Sequence, residues 1–272
     1  MALDITDERV AAAAAKLQDG GWSFSARQLY YAVCAEVETE PIRIASGEVG
    51  LGVLLILIGA ITGQRIILEI LGAIGLVLVV VGAVTRVRER RPPPMVQLLA
   101  ISHPDFEHRF VAGHHDYPGL LDSAPSPPPA LGGALVVCDR AETAAVLVAN
   151  RRHIGDIAVI TLAELDGSLS GRRVIALHDC DPAGCALVAE LGDRGADVVD
   201  AGINPRELSG RRLQLLEGAP ARLPRDLSGH LATAETDWLR SGRRLECATE
   251  TPEQLGQRVQ AALASISAGA PL

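Results

Sequence analysis

The stretch Val174-Ile175-Ala176-Leu177-His178-Asp179-Cys180-Asp181-Pro182-Ala183-Gly184 decides the fold. A run of apolar residues leads directly into two carboxylates at i and i+2. Pro182 and Gly184 then suit a tight strand-to-helix turn, and Ala183–Arg194 continues with helical spacing. The same alternation recurs on either side. ALVVC (134–138) is a short apolar run followed by helical spacing over Arg140–Arg151, DIAVITL (156–162) reads as a strand, and so does ADVVDAG (196–202). Apolar strands alternating with helices predict a parallel sheet covered on both faces, an α/β domain over residues 132–250. Beyond Pro205 the pattern reads as mostly helical, including TAETDWLRSGRRLE (233–246), and residues 251–272 read as a C-terminal helix and tail.

Three segments precede that domain. Residues 1–45 predict two helices in a helix-turn-helix-like arrangement. The first, Asp7–Leu17, ends at Asp19-Gly20-Gly21; the second runs from Ser25 to about Val37, with Ser25 and Gln28 in capping-box spacing. Residues 46–91 form the apolar centre of the chain, where only Arg65 and Glu69 are charged between Val49 and Thr85. A span needs about 20 residues, so two helices, roughly Ile44–Gly63 and Ile66–Thr85, predict a transmembrane hairpin. Arg86, Arg88, Arg90 and Arg91 follow the second helix and set its end on the cytoplasmic side, which puts both termini there. The alternative is a helical hairpin buried in a soluble core. Residues 92–131 run from Pro92-Pro93-Pro94 to SAPSPPPALGG and read as a Pro-rich linker region. The spacing of its histidines, His103, His108, His114 and His115, fits no metal motif and suggests surface or packing roles.

Composition narrows the functional classes. The 272 residues carry a formal charge of −8, and the pI is about 5.4, the wrong sign for coating DNA by bulk electrostatics. With 48% hydrophobic residues the chain is too apolar for intrinsic disorder. Five cysteines without a C-x-x-C pair argue against a disulfide framework and a zinc ribbon, and so for reducing cytosol around the polar parts. The start MALDITDERV lacks the basic and apolar regions of a signal peptide.

Two constellations carry chemistry. Ligands of an open parallel sheet sit beyond the carboxyl ends of its strands, where Asp179 and Asp181 could hold one hard cation such as Mg²⁺ through oxygen. In Ser25-Ala26-Arg27-Gln28-Leu29-Tyr30-Tyr31, Arg27 and Tyr31 share a helical face at i,i+4. A guanidinium beside a phenol favours the phenolate and can hold a phosphate oxygen, as a tyrosine nucleophile on a phosphodiester would require. Paired tyrosines on a helix equally suit plain packing.

Together, Arg-x-x-Tyr-Tyr near the N-terminus and a later D-x-D-P-x-G resemble the A subunit of topoisomerase VI and the related meiotic double-strand-break transesterase. The resemblance covers about residues 5–38 and 132–250 at motif level. It implies a winged-helix-like segment ahead of a Toprim domain, DNA as substrate, and Mg²⁺ as cofactor. Tyr31 would be the nucleophile, Arg27 its partner, and Asp179 with Asp181 the metal pair. DAGINPREL looks like the family's segment after the following strand, and SGRRLE makes Glu246 a candidate acid. Cys138 stands where the family has a glutamate after its first strand, leaving Asp139 or Glu142 as substitutes. Implied partners are the membrane, DNA, and a second copy or an ATPase-type subunit. The alternative is a non-catalytic, membrane-tethered Toprim-like scaffold or a nucleic-acid- or partner-binding module. A phosphatase reading of the D-x-D is discounted, because Pro-Ala-Gly follows it.

Overall fold

The computed structural model describes residues 5–36, 74, 102–112, 117–121, 134–208, 216–217, 220, 222–223, 227 and 231–268. The chain divides into two compact units. One comprises Met1–Cys34, Met95–Ser209 and Gln214–Leu272; the other comprises Ala35–Pro94 with Gly210–Leu213. The expected membrane spans Ile44–Gly63 and Ile66–Thr85 lie outside the described residues, apart from Ile74. Among the described residues no helix is long and apolar enough to cross a membrane.

The first unit is built on a four-stranded, all-parallel sheet in the order β2-β1-β3-β4, with β1 Ala134–Cys138, β2 Ile157–Thr161, β3 Arg173–Leu177 and β4 Asp197–Asp200. The strands are short and β-branched, and alternate residues serve opposite faces. Leu135, Val137, Val174 and Ala176 pack with Leu187 and Leu191 from the helix Pro182–Asp193. Val136 and Ile175, between them in register, are equally buried on the other side.

Seven further α-helices lie among the described residues. Numbered in chain order they are α1 Asp7–Gln18, α2 over 26–36, α3 His103–Phe106 and α4 Ala141–Ala149, then α5 Arg151–Ile154, α7 Thr233–Arg240 and α8 Pro252–Ala268, with Pro182–Asp193 as α6. Helix α1 buries Val10, Ala13, Ala14 and Leu17, one face at helical spacing. Ser25 and Gln28 cap α2 reciprocally: the Gln28 N–H donates to Ser25 Oγ at 3.2 Å, and the Ser25 N–H donates to Gln28 Oε1 at 3.1 Å.

A buried side chain is among the ties between the sheet domain and the N-terminal helices. Asn150, at the end of α4, accepts from the Ser23 N–H at 2.8 Å and donates to the carbonyls of Ser23 (2.7 Å) and Val146 (2.8 Å). It also interrupts the helix expected over Arg140–Arg151, which divides into α4 and α5. A second correction falls on TAETDWLRSGRRLE. Its helix stops at Arg240, because Gly242 takes φ +86°, and Arg243–Arg244 is extended as β6 against β5 Leu216–Glu217. Leu245 then pairs its backbone with Cys180, donating at 3.1 Å and accepting at 2.8 Å. That bridge places Glu246 beside the turn after β3.

The turn itself is tight. A Cβ at Gly184 would run into the Asp179 carbonyl oxygen and stand 3.0 Å from Asp139 Oδ2. Gly184→Ala should therefore cost about 2 kcal/mol, read as a fall in Tm of about 4–8 °C by calorimetry. An unchanged Tm would mean that the turn has slack.

Candidate functional site

Strand register assembles the first half of the site. Cys138 of β1 is aligned with Leu177 of β3, so both strands end at the same level and Asp139 emerges beside Asp179. The Asp139 N–H donates to the Leu177 carbonyl at 3.2 Å, and the Asp179 N–H donates to Asp139 Oδ2 at 2.8 Å. Asp179 is only 2% exposed yet lines a narrow cleft together with Arg27, Arg140, Glu142 and Glu246. Its two oxygens are both engaged: Oδ1 accepts from the Cys247 N–H at 2.7 Å, and Oδ2 from Arg140 Nε at 2.9 Å.

The second half comes from α2 and the segment after β6. Arg27 donates through Nε to Glu142 (3.1 Å) and through Nη1 to both oxygens of Glu246 (3.1 and 3.0 Å). The Tyr31 hydroxyl donates to Glu246 Oε2 at 3.1 Å. Arg27 and Tyr31 thus share a carboxylate, as their i,i+4 spacing allows. Tyr30 turns instead into an aromatic cluster, edge-on to His103 and Phe106. His103 is therefore a packing residue, whereas His114 and His115 lie outside the described residues.

Electrostatics reverse one expectation. Burial raises the Tyr31 phenol well above its ordinary value, and the Glu246 charge adds to this; Arg27 pulls the other way and is outweighed. The phenol is held protonated, donating its O–H to Glu246, because the guanidinium is already committed to two carboxylates. Asp179 is pushed up to about 7 by burial first and by Asp139 next, against the pull of the Cys247 N–H and Arg140. Asp139 is raised too, again chiefly by burial. Two acids at the end of a sheet therefore resist carrying two charges at once.

These residues do not fit a divalent cation as placed. Asp179 has no free oxygen, and Asp139 Oδ2 is taken by a backbone N–H. Asp181 Oδ1 caps α6 by accepting from the Gly184 N–H at 2.7 Å, and Glu246 accepts from Arg27 and Tyr31. Glu142, in the first turn of α4, reaches Arg27 rather than the aspartates. Among the described residues Asp139 Oδ1 is the one carboxylate oxygen buried without a partner. Among the described residues no group of three or more His, Cys, Asp or Glu side chains is arranged to hold a metal ion.

Sequence reasoning missed two participants. Arg140 follows Asp139 at the N-cap of α4, and its spacing resembles that of any helix start. His178 is fully buried, with Nε2 3.1 Å from Asp200 Oδ1 and Nδ1 2.8 Å from the Asp179 carbonyl. The chain matches no protein-family model, no curated protein and no solved structure.

Both ring nitrogens of His178 face acceptors, which calls for the imidazolium. Burial opposes that charge most strongly, but the bond to Asp200, its charge and the Asp179 carbonyl together lift the group to about 9. A histidine raised in the folded state contributes stability that is complete below its unfolded value near 6.5 and is lost as pH rises through about 9. Wild type should therefore lose about 3 kcal/mol more than His178→Asn between pH 6.5 and 9, measured by urea unfolding at stepped pH. Parallel curves would make the ring neutral.

Proposed function

We propose that the chain is a membrane-tethered Toprim-type protein of the topoisomerase VI A kind, whose cleft cuts DNA by tyrosine transesterification. One observation carries the reading: the Tyr31 hydroxyl already donates to Glu246 while Arg27 fixes that carboxylate from a second side. Nucleophile, proton acceptor and orienting cation are thus in contact, which is the arrangement an activated oxygen needs. Because burial keeps the phenol protonated, the proton must leave as the bond forms.

In the step, Tyr31 Oη bonds to phosphorus and its proton passes to Glu246. The P–O3′ bond breaks, the departing 3′ oxygen takes a proton from water, and the 5′ phosphate stays on Tyr31. Arg27 keeps Glu246 aligned and, with Arg140, supplies positive charge at the cleft where the phosphate's charge grows. Mg²⁺, which the resemblance implies, enters no step of this reading.

With a formal charge of −8, the chain needs a basic surface from elsewhere to hold DNA, and a second copy carries the same charge, so a basic partner such as an ATPase-type subunit would supply it. Residues 46–91 would be the hairpin that keeps the site at the cytoplasmic face of the cell membrane. A non-catalytic scaffold is the second reading, favoured by Tyr31 being only 3% exposed.

Denaturant trapping of a covalent protein–DNA adduct decides between them. The full chain in lipid vesicles, alone and with a basic partner protein, should yield an adduct that Tyr31→Phe abolishes. Glu246→Gln should slow its formation about 10²–10⁴-fold. If wild type gives no adduct under either condition, the scaffold reading stands.

A further inference from the structure

We infer that Arg140 is the resident cation of this cleft and occupies the place of a divalent metal. The inference takes from the Toprim reading only the expectation that a cation belongs at the D-x-D turn.

The carboxylates create the need. Asp139, Asp179 and Asp181 come from the ends of neighbouring strands β1 and β3, and Glu246 is brought to the same turn by the Leu245–Cys180 bridge. So many acids cannot share a partly buried cleft without compensating positive charge. Arg140 supplies it by donating from Nε to Asp179 at 2.9 Å, with Nη2 3.8 Å from Asp181 Oδ2. It thus spans the i and i+2 carboxylates that a hard cation would otherwise bridge.

The position is dictated by the chain. Arg140 is the N-cap residue of α4, with extended backbone (φ −117°, ψ 131°) and no side-chain capping bond. Its side chain is therefore free to reach across the strand ends rather than back to its own helix. Arg27 is spent on Glu142 and Glu246 and does not substitute for it. Arg140 is 48% exposed, so its guanidinium stays open to the cleft while anchored at Nε. A planar, always-charged group holds two carboxylates without the six oxygen ligands that Mg²⁺ prefers. The buried, unpartnered Asp139 Oδ1 is what remains of a donor set that a metal would use more fully.

The test reads metal binding directly, so its failure leaves the Tyr31 reading standing, and the reverse also holds. Thermal unfolding of the full chain is followed with MgCl₂ and with EDTA, and Mn²⁺ binding is followed by electron paramagnetic resonance. Wild type should unfold at the same temperature in both solutions and leave Mn²⁺ free. Arg140→Gln should be destabilised in EDTA, regain about 3–5 °C in millimolar Mg²⁺, and bind Mn²⁺. Adding Asp181→Asn should remove that regain. Arg140→Lys, whose shorter point charge reaches the carboxylates less well, is the second variant should Arg140→Gln fail to fold, and it should show a smaller Mg²⁺ shift. A Mg²⁺-dependent shift or Mn²⁺ binding in wild type overturns the inference. So does the absence of any metal response in whichever Arg140 variant folds.

Discussion

Crowding carboxylates at the end of a parallel sheet is a Coulomb problem, and much of the molecule around the cleft is arranged to relieve it. Like charges a few ångströms apart in low dielectric repel by several kcal/mol, so each acid needs a donor or a proton. Backbone N–H groups serve Asp139, Asp179 and Asp181, at 2.7–2.8 Å. The Arg27 guanidinium on α2 serves Glu142 and Glu246, and Arg140 at the start of α4 adds a second donor to Asp179. The Arg27 donor is in place only because the N-terminal helices pack on the sheet domain. The assembly of the first unit and the charge balance of its cleft are therefore one requirement.

That coupling explains which parts could be read from the sequence. The four strands were legible because a fully buried parallel strand writes itself as an unbroken apolar run, as ALVVC and VIAL do. The start of α2 was legible because capping is local, and Ser25 and Gln28 are three residues apart. Arg27, Glu142, Asp179 and Glu246 were singled out by motif, and the cleft gathers all four. Whether they perform the chemistry their motifs suggest is a separate matter, open to the adduct experiment.

What stayed hidden depends on long-range packing. The protonated state of Tyr31 follows from its burial first and then from Glu246, a residue 215 positions away, and no helical periodicity carries that information. The role of Arg140 follows from the alignment of β1 with β3, and its identity at the head of a helix is unremarkable by itself. The segment 241–246 was misread as helix because its arginines and leucine favour helix locally. Gly242 and the backbone pairing of Leu245 with Cys180 outweighed that preference. The apolar centre of the chain, by contrast, is legible only as sequence, since it falls outside the described residues.

The Asn150 clip has a consequence for how the chain is made. Ser23 and Asn150 are 127 residues apart, so the amino-terminal arm leaves the ribosome long before its docking partner exists. During that interval the Ser23 backbone groups lack their Asn150 partner, and a growing chain is then most open to misassociation. Docking must close a large loop before Asn150 rewards it, which makes arm attachment a late, non-local event in folding.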